Sequence, residues 1–86
     1  MELKIKDDVN LKELEKFGLY YNVVTKSYVD DYNLEMIQIF EKDRIVRIDI
    51  NTTYATFSFM TNYDDLRSNA IRILYKLIKS DIVEAL

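Results

Sequence analysis

Three adjacent carboxylate pairs, Asp7-Asp8, Asp30-Asp31 and Asp64-Asp65, are the acid/base resource of this 86-residue chain, which has no His and no Cys. General acid/base chemistry needs two carboxylates whose environments push their proton affinities apart, and neighbours on a loop or at a helix start share one environment. The pairs therefore read as solvated loop charges and helix-cap acids, and no catalytic residue is assigned. Without imidazole or thiolate the chain lacks the usual zinc ligands, a thiol nucleophile and any disulfide. Asp30, Asp31 and Asp43 could offer oxygen ligands to magnesium, but no calcium-loop spacing is present, and the expectation is no metal and no cofactor. Gly18 is the single glycine. It cannot by itself build a phosphate-cradling loop.

What the chain has instead is contact chemistry. Seven of its residues are tyrosine, and Tyr20, Tyr21, Tyr28 and Tyr32 crowd around Asp30-Asp31. Tyrosine offers a large rigid area with a polar tip, so these six residues are the candidate protein interface; the competing assignment is sheet surface or core, because tyrosine is also a good strand former. Arg44, Arg47, Arg72 and Lys76 are the candidates for a nucleic-acid contact. Phe57 and Phe59 resemble the aromatic strand positions of RNA-recognition sheets, although the net charge of −3 opposes phosphate affinity. An acidic surface that imitates phosphate, as in an inhibitor of host nucleases, is the other form of that alternative. No small-molecule substrate is implied.

The charge is uneven. Residues 1–43 carry −4 and residues 44–86 carry +1, with every arginine in the second half. A hydrophobic fraction of 49% beside 31% charged residues is that of a folded domain. A domain this small has a thin stability margin, so a homodimer is a possible means of extending its core. No apolar run reaches the length of a signal-peptide core or a membrane span, and the expected location is the cytoplasm.

The elements that would position these groups follow from periodicity. Leu3 and Ile5 alternate with charged residues and predict a short edge strand. Asn10 can cap a short helix, with Glu13 closing a capping box and Val9 and Leu14 at the staple positions. Gly18 then supplies the left-handed stop, and Leu19 can contact Leu14 in a Schellman arrangement. Four strands are expected over 19–28, 34–40, 44–50 and 54–60, joined by short connectors that favour an antiparallel meander. A long helix follows, capped by Asn62. Its apolar arc is Leu66, Ala70, Ile73, Leu74, Leu77 and Ile78, with Arg72, Lys76 and Lys79 on the far side. Asp81 falls in that arc, so either the helix breaks near Ser80 and restarts or the carboxylate meets a partner at the core edge.

The segments Leu11-Lys12-Glu13-Leu14-Glu15-Lys16-Phe17-Gly18-Leu19 and Leu77-Ile78-Lys79-Ser80-Asp81-Ile82-Val83-Glu84 resemble the two ends of small uncharacterised proteins of bacteriophages and prophages of Gram-positive bacteria. They span 17 of the 86 residues. Ser80 and Ile82 stand where that pattern has Ala and Leu. The resemblance implies a helix, meander and closing helix, a mobile-element origin and no established activity, and it carries over no functional residue. The expected fold over residues 1–86 is a single α+β domain: an antiparallel β-meander of four to five strands, with the short N-terminal helix and the long C-terminal amphipathic helix packed on one face.

Overall fold

The Leu3–Ile5 alternation does produce a strand, β1 (Leu3–Ile5), but not at an edge. A computed structural model of the chain describes residues 2–30, 35–49 and 68–86 in full, together with the backbone of helical residues 63–67. After β1 come a 3-10 helix (Leu11–Phe17) and the strands β2 (Tyr20–Asn22), β3 (Ser27–Val29), β4 (Ile37–Phe40) and β5 (Ile45–Ile48). The helix α1 (Tyr63–Lys79) and the strand β6 (Val83–Ala85) complete the order. Among the described residues the strands form one six-stranded antiparallel sheet, ordered β2-β3-β4-β5-β1-β6. The protein is thus an α+β domain with a C-terminal helix. Its strand count exceeds the expected four to five, even though the strand expected over 54–60 and the Asn62 cap lie outside the described residues.

Three differences from the sequence reading have local causes. The single strand expected over 19–28 is a hairpin. Asn22 Oδ1 accepts the Val24 N–H at 3.0 Å, an Asx-turn, and Lys26 takes a left-handed φ of 55°, so the chain reverses between β2 and β3. The second concerns β1, which is interior because the chain's last residues return beside it, pairing Leu3 with Ala85 and Ile5 with Val83. The third is the break after Lys79, which is followed by a strand and not by a second helix. Asp81 adopts φ 60°, its N–H donates to the Ile78 carbonyl, and its exposed carboxylate pairs with Lys6 Nζ at 3.2 Å. Ile82 and Val83 beyond it are β-branched and suit the sheet.

The N-terminal helical turn keeps both of its expected ends. Asn10 Oδ1 accepts the Lys12 N–H, and Val9 packs against the core in which Leu14 is fully buried. The capping box does not form, since the Glu13 carboxylate turns to Lys16 Nζ at 2.8 Å. At the far end Gly18 N–H donates to the Glu15 carbonyl and Leu19 N–H to the Leu14 carbonyl, the paired bonds of a Schellman stop.

Strand register assigns the faces, because successive side chains alternate. Leu3, Ile5, Tyr28, Ile39 and Val46 share the face that meets Leu14 and Leu19 and the α1 residues Ala70, Ile73 and Leu77, forming the core. Lys4, Gln38 and Arg47 lie on the opposite face. Burial of this cluster contributes most to holding the fold together, at about 1.5–3 kcal/mol for each large apolar side chain removed from water.

Candidate functional site

The hairpin β2–β3 holds most of the candidate interface, yet alternation divides its tyrosines between two faces. Tyr21 and Tyr28 are cross-strand partners on the core face, with ring centroids 5.2 Å apart in an edge-to-face arrangement. Tyr28 is buried and belongs to the core. Burial pushes the phenols of both residues above their usual range, and nearby carboxylates push in the same direction: Glu41, which also accepts the Tyr21 hydroxyl, and, for Tyr28, Glu15 as well. Tyr20 points to the other face and is half exposed. Asp30 is buried, and its Oδ1 accepts the Ile37 N–H at 2.8 Å. Asp31 and Tyr32 lie outside the described residues.

Beyond Tyr20 the hairpin ends in two residues that carry no charge and no polar atom on their side chains. Val23 is 72% exposed and Val24 is 87% exposed. They occupy the turn between the Asn22 Asx bond and the left-handed Lys26. Sequence reasoning missed them by assigning a continuous strand. Asn22 before them and Lys26 after them, both tolerant of turn conformations, were the available signal.

The four basic candidates separate into two kinds. Arg44 has a structural duty: its Nη1 donates to the Lys6 carbonyl at 2.7 Å and to the Val9 carbonyl at 2.8 Å, tying the β1 exit to the β5 entry. Arg47 is held by Asp43 through two hydrogen bonds, of 3.1 Å and 2.7 Å, and its guanidinium lies 4.9 Å from the Phe40 ring centroid. That pair holds the Asp43 carboxyl below the usual carboxylate range and raises Arg47. Arg72 and Lys76 are exposed on α1 and make no ion pair among the described residues. Phe57 and Phe59 lie outside the described residues.

Glu35, Gln38, Arg47, Ile48 and Asp49 line an open recess of about 350 Å³ at the end of the β4–β5 pair where Ile37 meets Ile48. Its one cation is already engaged by Asp43. Asp30 and Asp43 sit at opposite ends of β4, and among the described residues no group of three or more acidic side chains is placed to hold a metal ion. Of the carboxylate pairs, Asp7 is exposed and bridges to Lys4 Nζ at 3.0 Å, and the side chains of Asp64 and Asp65 lie outside the described residues. Among the described residues no helix is long and apolar enough to cross a membrane. No family model, curated protein or solved structure matches the chain.

Proposed function

We propose that the chain is a non-enzymatic interaction protein of phage or prophage origin, acting in the host cytoplasm by binding another protein or a second copy of itself. The origin follows the resemblance of residues 11–19 and 77–84, and the observation that supports binding is the tip of the β2–β3 hairpin, where Val23 and Val24 stand in solvent beside the half-exposed Tyr20 of β2, the last strand of the sheet among the described residues. Scattered exposed apolar residues are ordinary, but two adjacent ones on a turn held by an Asx bond are pre-ordered for contact.

Affinity capture from host lysate tests this, comparing the natural chain with a Tyr20→Ser, Val23→Ser, Val24→Ser variant. The expected outcome is one or more proteins retained by the natural chain and lost by the variant at unchanged melting temperature. Identical captures from both would remove the hairpin from the interaction. Direct nucleic-acid contact, the second reading, draws on the exposed Arg72 and Lys76. Fluorescence anisotropy with labelled DNA and RNA at low salt decides it, since phosphate contacts are strongest there and absence of binding ends that reading.

A further inference from the structure

The helix α1 buries only part of its apolar surface. Ala70, Ile73 and Leu77 face the core, whereas Ile71, Tyr75 and Ile78 are 48%, 60% and 52% exposed. At about 100° per residue the positions i, i+4 and i+7 form one stripe, and the residue following each member lies along a single flank of it. Those following residues are Arg72, Lys76 and Lys79, and the Lys79 ammonium leans to within 5.6 Å of the Tyr75 ring centroid. From Ser68 to Lys79 the helix has no acidic residue. Among the described residues, this apolar stripe with one wholly cationic border is half exposed and carries no packed neighbour element.

We infer that this face is a docking surface for an acidic amphipathic segment of a partner protein, an apolar ridge bordered by Asp or Glu, laid along α1. Charge decides among the possible occupants. Two copies of α1 packed antiparallel about a two-fold axis would bring both cationic borders to the same side, where like charges repel, and a parallel pair would place them on opposite sides and leave both without a counter-charge. An anionic lipid surface would attract the border, but the chain's net charge is −3, so the rest of the molecule is more acidic still and would be repelled. A helical segment with carboxylates on one flank meets both the stripe and its border, the helix-in-groove mode of recognition.

The test uses the full isotope-labelled chain and two synthetic helical peptides of about 18 residues that share one leucine stripe, one bordered by Glu and the other by Lys. The Glu peptide is expected to bind at least about tenfold more tightly, and its advantage should shrink between about 0.05 and about 0.5 M salt. Shift changes should centre on Ile71 to Lys79. Arg72→Glu with Lys76→Glu should reverse the preference, and Tyr75→Ser with Ile78→Ser should abolish binding of both peptides. These positions are exposed, so the melting temperature serves as the folding control. Equal affinity for the two peptides, no binding, or shift changes centred elsewhere would overturn the inference. So would self-association that Tyr75→Ser with Ile78→Ser removes, or tighter binding to phosphatidylserine vesicles or labelled RNA than to the Glu peptide.

Discussion

The Asp30 carboxylate accepts the backbone N–H of Ile37 at 2.8 Å, joining the residue after β3 to the first residue of β4. Asp30 is only 6% exposed, so this bond is made largely out of water. Removing it leaves an N–H at the sheet end without its acceptor. Asp30→Ala is expected to lower the unfolding free energy by about 1–3 kcal/mol in urea titration, and Asp30→Asn, which keeps a side-chain oxygen, to lower it less. Equal losses would show that the negative charge, and not the acceptor, matters.

Arg44 ties two strands through backbone oxygens. Both bonds come from one guanidinium nitrogen to the Lys6 and Val9 carbonyls, and Ile5 N–H donates to the Arg44 carbonyl at 2.9 Å. Arg44→Ala is expected to cost about 1.5–3 kcal/mol by the same titration, because charged donors make the stronger hydrogen bonds. Arg44→Lys should recover only part of it, since an ammonium lacks the planar fork. A neutral Arg44→Ala would contradict this role.

Gly18 has φ 93° and lies beneath α1. A Cβ placed there would stand 3.6 Å from Ile73 Cδ1, an ordinary contact, so the penalty of a side chain is in the backbone and not in a clash. Gly18→Ala is expected to cost about 1–2 kcal/mol, and Gly18→Asn, which tolerates left-handed backbone better, to cost less. Thermal melting of the two variants gives the order.

Tyr21 and Tyr28 have raised phenol pKa values, so the folded state favours their neutral forms. The stability this adds is fully present below the unfolded value near pH 10 and is lost as pH rises through the higher folded values. Urea midpoints should therefore fall on the alkaline side of about pH 10. Glu41→Gln should move the Tyr21 titration downward, because it removes a carboxylate that accepts from the phenol hydroxyl and repels the phenolate. Tyrosinate absorbance of single-tyrosine variants reads this directly, and an unmoved Tyr21 would contradict the Glu41 contact.

Legibility followed the range of the forces involved. The ends of the short N-terminal helix could be read because Asn10 and Gly18 act on backbone groups within a few residues. The core face of α1 could be read at Ala70, Ile73 and Leu77, where period and burial coincide. The open stripe could not: Ile78 falls in the expected core-facing arc yet is 52% exposed, and Ile71 and Tyr75 lie beside it, because periodicity shows that a residue is apolar and not whether anything covers it. The candidate interface fared similarly. The clustering of tyrosines was visible, whereas their division between two faces depended on a turn at Val23 to Lys26 that the apolar pattern concealed.

By itself the sequence determined the local matters: which residues start and stop helical turns, which alternate as strands, and that a chain without His or Cys lacks imidazole and thiol chemistry. Tertiary structure alone decided that β1 is interior, that the last residues form β6, and that Arg44 is spent on backbone carbonyls. The reason is the same in each case. Pairing Leu3 with Ala85 joins residues at opposite ends of the chain, and the reward for such a contact exists only once the sheet and helix between them have assembled.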